Sequence, residues 1–339
     1  YRTITNFEYG LYVGVSRKLW NDQLIASATL RMDKNENFDH IFSPAISLVY
    51  TPNENHTFRA TFTSAVRNPT LADQFFYYDV GRAILLGNLD GYDSLITVES
   101  FQDLFAEFTT NLDTLQYFNV DPIQPEQVRT IEFGYRGIIS NKAYIDASYY
   151  HSWYENFIGF QIGIDATFSN FNNSLLDAQA YRLAANAEET VTTQGFSIGG
   201  NYYLSKHYTL QGNYSWNKLI TGDDDPIIPA FNTPEHKYNI GITGSDIRLP
   251  YIQDLGMFGF GINYKWIQGF TFEGSPQFTG AIDSYGLVDA QMNYFVPSIH
   301  TTFKVGASNL LDNRVFQVYG GPRVGRLAYV SVLFDWRRN

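Results

Sequence analysis

Few side chains in this sequence are spaced for covalent chemistry. His151 and Ser152 are adjacent, which in a strand sends them to opposite faces and defeats a direct Ser-His dyad, and no Gly-x-Ser-x-Gly element accompanies them. His56, His151, His236 and His300 show no HxxxH-like spacing, so no metal site is expected from them. The run Asp223-Asp224-Asp225 offers hard oxygens of the kind that hold Ca²⁺, although acidic turns are commonly plain exposed loop tips. The chain has no cysteine, so thiolate nucleophiles, thiolate metal sites and disulfides are excluded. What remains is recognition chemistry. Arg67, Tyr77, Tyr78, Arg82 and Tyr154 combine cations with aromatic faces, a set suited to an anionic chelate or, through aromatic platforms, to a glycan. Taken singly, each also serves as loop packing or as an interfacial tyrosine. No catalytic residue and no resident cofactor are expected.

The elements that must position these residues are strands. Val288, Ala290, Met292 and Tyr294 alternate with Asp289, Gln291 and Asn293, and Phe303, Val305 and Ala307 with Thr302, Lys304 and Gly306. The same period recurs in Phe258 to Trp266, Tyr208 to Trp216, Leu24 to Leu30 and Phe58 to Phe62, each with one apolar and one polar face. Thirteen such strands are expected. Their links sort by length: tight at Asn21-Asp22, Thr51 to Asn55, Ser140-Asn141, Ser205-Lys206, Leu249 to Leu255 and Val296 to Ser298, and long at Asp33 to Asp39, Arg67 to Gln127, Asp165 to Ala178, Thr221 to Glu235, Phe272 to Asp283 and Asn309 to Gly325. A transmembrane up-and-down β-barrel sorts its links in this way, and a soluble sandwich has no reason to. The polar face is also mostly small and uncharged, where a solvated sandwich face would carry many Lys and Glu.

The link from 67 to 127 is too long to lack structure of its own. Ser100-Phe101-Gln102-Asp103 resembles a capping box, and Phe101, Leu104, Phe105 and Phe108 follow helical spacing, so a short helix is expected over or beside the barrel mouth.

Composition agrees with a membrane barrel. Charged residues make up 17% of the 339, below the roughly 25% of an average soluble protein, while Tyr and Phe number 25 and 27. Apolar runs such as Ala83 to Leu86 are far shorter than the roughly 18 residues of a helical span. A net charge of -11 argues against nucleic acid. Tyr1 to Thr5 has neither the basic start nor the apolar core of a signal peptide, and the sequence is expected to be the C-terminal part of a longer chain.

Several segments together resemble the TonB-dependent outer-membrane receptors. Ser308-Asn309-Leu310-Leu311-Asp312-Asn313, Gly321-Pro322-Arg323 and the last strand are similar to that family's C-terminal signature. Arg67 to Asp73 resembles a loop element of its barrel, Gln124-Pro125-Glu126-Gln127-Val128 with Ile131 to Tyr135 its proline-glutamate element, and Asn186 with Thr193-Gln194-Gly195-Phe196 its lead into a later strand. Two features depart from the pattern: Arg337-Arg338-Asn339 follow the terminal aromatic Trp336, and Val120 to Gln124 replaces the usual lead into Pro-Glu.

The resemblance implies a 22-strand barrel with a plugged lumen, of which this sequence would supply strands 10 to 22, the plug domain being absent from it. It implies an integral protein of the bacterial outer membrane with extracellular long loops, including the large one at 67–127, a periplasmic C-terminus and contact with outer-membrane lipid. It further implies uptake coupled to a TonB-type protein, of a scarce nutrient such as a ferric chelate, a cobalamin-like cofactor or an oligosaccharide, and no enzyme activity. The alternatives are a non-transporting scaffold or subunit of a larger envelope complex, with a surface lipoprotein lid among its partners, or a passive porin.

Overall fold

The structure is a computed structural model that describes residues 3–81, 83–106, 111–221, 227, 231–248, 250, 256–274 and 279–335. Arg82, Phe108, Asp223 to Asp225, most of the link from Leu249 to Leu255, and Trp336 lie outside the described residues. In chain order the strands are β1 (Glu8–Leu19), β2 (Leu24–Asn35), β3 (Phe38–Asn53), β4 (His56–Arg67), β5 (Tyr77–Asp79), β6 (Ile84–Leu86), β7 (Tyr92–Ile96), β8 (Tyr117–Val120), β9 (Glu126–Ile139), β10 (Ala143–Glu155), β11 (Ile158–Phe168) and β12 (Leu175–Asn186). There follow β13 (Val191–Tyr203), β14 (Tyr208–Ile220), β15 (His236–Ile247), β16 (Met257–Ile267), β17 (Phe270–Phe272), β18 (Gly280–Ile282), β19 (Tyr285–Val296), β20 (Thr301–Ser308), β21 (Val315–Phe316), β22 (Arg323–Val324) and β23 (Leu327–Phe334). Two α-helices are described, α1 (Leu71–Phe75) and α2 (Val98–Ala106), and neither is long enough to cross a membrane.

Thirteen strands form one antiparallel sheet in the order β1-β2-β3-β4-β9-β10-β13-β14-β15-β16-β19-β20-β23. This is the wall. Its register carries the alternation from strand to strand, because side chains opposite each other in a ladder share a face. Leu48 faces Ala60, which faces Phe133, then Tyr149 and Phe196; further along, Ile242, Ile262, Ala290 and Ala307 form another row on the same face. Large apolar side chains on this face stand exposed, Phe133, Ile262 and Met292 among them, and a contiguous apolar surface of this extent needs lipid or protein against it.

The opposite face is small and polar. Ser16, Ser27, Ser47, Thr61 and Glu132 are successive ladder partners, and Ser27 donates to Ser16 at 2.9 Å while Ser148 and Ser197 bond at 2.8 Å. Tyrosines lie across facing glycines on this side. A Cβ at Gly195 would meet the Tyr150 ring at 2.3 Å and one at Gly306 the Tyr329 hydroxyl at 2.6 Å, so a larger residue at either position would displace the facing tyrosine.

Wall strands are joined at one rim by tight turns whose residues take the left-handed conformation, as at Asn21 (φ 52°), Asp22 (φ 68°), Ser140 (φ 50°) and Asn141 (φ 53°). One expected long link is short. β2 and β3 run to Asn35 and Phe38, which pair directly, so the polar stretch Asp33 to Asp39 is mostly strand with a two-residue turn: ladder bonding extended a hairpin through residues that composition had marked as loop.

The excursion between β4 and β9 and the one between β10 and β13 build a second layer on the other rim. β5-β6-β12-β11-β7-β8 form a six-stranded sheet, the cap, assembled from the excursion between β4 and β9 together with the hairpin β11-β12. The pairing of β6 with β12 is parallel, Ile84 opposite Tyr181 and Leu86 opposite Leu183. Unlike the wall, the cap has conventional cores: Leu95, Val120, Phe157, Leu183 and Val191 in one cluster, Ile96, Leu104, Leu115 and Ile164 in another.

Candidate functional site

The cap is fastened to the wall where the excursion leaves and returns. Arg67, the last residue of β4, is the ladder partner of Glu126, the first of β9. Its Nη2 donates to Glu126 Oε2 at 2.8 Å and its Nε to Oε1 at 3.2 Å. The same Oε2 accepts the backbone N–H of Ile158 at 2.9 Å, so one carboxylate, 6% exposed, joins β4, β9 and β11. Buried carboxylates persist when paired and hydrogen-bonded in this way.

Two asparagines complete the fastening. Asn88 is fully buried; its Nδ2 donates to the carbonyls of Asp121 (2.7 Å) and Ala184 (2.9 Å), and its Oδ1 accepts from Gly91 N (3.0 Å). Asn186 Nδ2 donates to the carbonyls of Gln124 (3.0 Å) and Asn156 (2.7 Å), while its Oδ1 accepts from Gln124 N (2.7 Å). A polar side chain with its donors and its acceptor all engaged fixes one arrangement of the strands around it, most firmly at the buried Asn88.

The recognition residues named from sequence fall in different places. Arg67 is engaged in the ion pair just described. Tyr154 packs nearly perpendicular to Phe157, with centroids 5.4 Å apart, against the larger cap core. Tyr77 and Tyr78 sit on β5, the outer strand of the cap sheet, 70% and 57% exposed, and Tyr78 stacks on Phe76 at 5.9 Å. Arg82 lies outside the described residues.

The expected loop helix is present as α2, with a different start. Thr97 Oγ1 accepts the Ser100 N–H at 3.3 Å and the Thr97 carbonyl accepts that of Phe101, so Thr97 caps the helix and Ser100 lies inside it, buried. Leu104 is buried in a cap core with Phe101 beside it, Phe105 stays exposed with its ring 5.0 Å from that of Phe101, and Phe108 lies outside the described residues. The full capping box belongs to α1, where Thr70 and Asp73 cap each other.

Two recesses border the cap. The first, of about 670 Å³, lies on the polar face of the wall under the start of α1, lined by Glu8, Arg31, Asp33, Ser64, Asn68 and Thr70 among others. Its charges are already committed: Arg31 holds Asp33 at 2.6 Å, and Glu8 accepts from Asn6, Asn35 and Asn68. The second, of about 330 Å³, lies within the cap between α1, the β11-β12 hairpin and Glu273-Gly274. Arg182 reaches into it, and burial pulls this guanidinium below its ordinary pKa while Glu273 opposes the shift. The sequence signal for Arg182 was slight, one cation in the apolar stretch Tyr181 to Ala185. Among the described residues no group of three or more His, Asp or Glu is placed to hold a metal ion.

A wide antiparallel wall, apolar on one face and polar on the other, with a folded cap on one rim, is the architecture of a transmembrane β-barrel wall. Residues 1–310 match the family described as TonB dependent receptor-like, beta-barrel, and the chain belongs to that family, which is one of transport receptors and not of enzymes. Among solved structures it is similar to the siderophore receptor PirA from Acinetobacter baumannii (13% identity, TM-score 0.63, covering 96% of this chain and 45% of that one). It is likewise similar to the FrpB iron transporter from Neisseria meningitidis (16%, 0.61, 96% and 45%) and to a mutant of the ferric enterobactin receptor PfeA from Pseudomonas aeruginosa (15%, 0.62, 96% and 44%). At such identity the likeness is one of fold, and the chain spans less than half the length of these structures. No curated protein matches it by sequence.

Proposed function

We propose that this chain forms the C-terminal wall and the ligand-gathering cap of a receptor for active, TonB-coupled uptake of a scarce nutrient, with a ferric chelate as the leading cargo. The supporting observation is the cap itself, a folded and internally anchored sheet seated on the rim opposite the tight turns. A passive pore needs no such layer, whereas a receptor needs a rigid surface on which to place recognition groups. The relatives in fold whose descriptions name siderophores or iron favour the ferric chelate over a cobalamin-like cofactor or an oligosaccharide. In this reading the cap rim faces outward, and the end of β23 lies on the periplasmic side.

The test is uptake of ⁵⁵Fe-labelled chelates by cells carrying the full-length protein, with and without the TonB-type transducer. Flux that depends on both is expected. Protein-dependent flux that persists without the transducer would make the barrel a passive pore, and absence of any flux of the labelled chelates would remove the ferric chelate as cargo. Orientation is checked separately by placing a single cysteine at Phe171, which is 98% exposed at the tip of the β11-β12 hairpin. A membrane-impermeant maleimide should label it in intact cells.

A further inference from the structure

Arg182 is a largely buried cation with one edge of its guanidinium left open to the second cavity. It is 7% exposed; its Cζ sits 4.0 Å from the centroid of the Phe160 ring on the neighbouring strand, and its Nη1 donates to the carbonyl of Gly274. Its Nε and Nη2, which form one edge of the planar fork, have no acceptor among the described residues. A guanidinium carries five N–H donors, and the unbonded edge of this one is not closed off by protein but borders the cavity, open to an incoming acceptor. Neither carboxylate that lines the cavity among the described residues closes on this edge. Asp73 is occupied by the backbone N–H and hydroxyl of Thr70, both at 2.8 Å, and Glu273 acts on Arg182 only through space. The rest of the wall is apolar, with Phe76, Leu85 and Leu86 prominent.

The geometry assigns this cavity as a binding site for a single carboxylate carried on a small apolar or aromatic body. The two oxygens of a carboxylate match the free Nε/Nη2 edge as a bidentate pair, the strongest form of such a contact. The body lies along Phe76, Leu85 and Leu86. A more highly charged anion is disfavoured because Glu273 borders the same space. A cavity of about 330 Å³ accommodates one ring-sized group. This assignment rests on the proposal that the cap gathers ligand, and adds the chemical class of the group gathered.

The experiment uses the purified full-length receptor in detergent micelles and three probes on one skeleton: 4-hydroxyphenylacetate, its neutral amide, and the cation tyramine. Ligand-observed NMR titration should show saturable binding of the carboxylate, with the amide and tyramine weaker by about tenfold or more. Arg182→Met and Ala72→Trp, the second filling the cavity from the exposed side of α1, should each lose about the same factor, and Arg182→Lys should fall between. Hydrogen exchange on β11 and β12 should be unchanged in Ala72→Trp, which separates lost binding from a loosened cap. Equal binding of the three probes, preference for tyramine, binding indifferent to both variants, or no saturable binding at all would each overturn the assignment. Binding by purified protein needs no transducer. Carboxylate binding through Arg182 without energy-dependent uptake in cells would therefore sink the uptake proposal alone, and uptake indifferent to Ala72→Trp without probe binding would sink only this one.

Discussion

The wall and the cap are both sheets cut from one chain, yet they hide apolar surface in opposite senses. In the wall Phe133, Ile262 and Met292 point outward, while Glu132, Asn263 and Gln291 face the other way. In the cap Leu95, Ile96, Leu104 and Leu183 are buried between layers, as in any water-soluble domain. The difference is one of solvent. Against hydrocarbon an exposed isoleucine costs nothing while every backbone polar group must be paired, which a continuous ladder achieves; against water, burial of apolar area is the driving force.

The sharpest way to break this contrast is to damage one layer and watch the other. Leu183→Ala removes a side chain with no exposed surface from the cap and should cost about 2–5 kcal/mol locally. Hydrogen exchange should rise in β11 and β12 while the wall amides stay protected; equal loss in both would show that the layers are one cooperative unit. On the wall, Ile262→Arg should destabilise by roughly 2–4 kcal/mol in a refolding titration, and Asn263→Arg on the opposite face by far less. Equal penalties would contradict the assignment of faces. At the junction, Glu126→Gln should cost about 1–3 kcal/mol, because it withdraws the charge that Arg67 and the Ile158 N–H both use; limited proteolysis should then cut the cap before the wall. The smallest effect concerns Asp312, in the link after β20. The backbone N–H of Arg326, with Arg314 nearby, holds its carboxyl below the ordinary aspartate range. A depressed carboxylate pKa lends stability above that range and loses it as pH falls through the lowered value, so this link should loosen only in acid, seen as exchange broadening at Asn313 and Arg326.

The wall was legible because its signal is periodic and repeated. The alternation in Phe258 to Trp266 or Tyr208 to Trp216 has one explanation in a strand, and register propagates it. The cap was mostly hidden. β5 and β6 are three residues each, too short to show a period, and the parallel pairing of Ile84 with Tyr181 joins segments nearly a hundred positions apart. Near the helix Thr97 and Ser100 carry the same hydroxyl chemistry, and burial of Ser100 decided which one caps. Arg67 stood out as a cation in a loop element, but its partner Glu126 lay at the far end of the excursion, so its ion pair was visible only in three dimensions.

The rung at Arg67 and Glu126 has a consequence for how such a barrel diversifies. The excursion departs and re-enters at two residues already side by side in the wall, so its ends meet whatever its length. Doubling a closed loop costs only about 0.6 kcal/mol in chain entropy. To the wall, the excursion is one more turn. Its share of the cap can therefore be lengthened, rebuilt or exchanged between lineages as a cassette, so that a receptor acquires a new appetite without renegotiating the membrane-spanning frame that carries it.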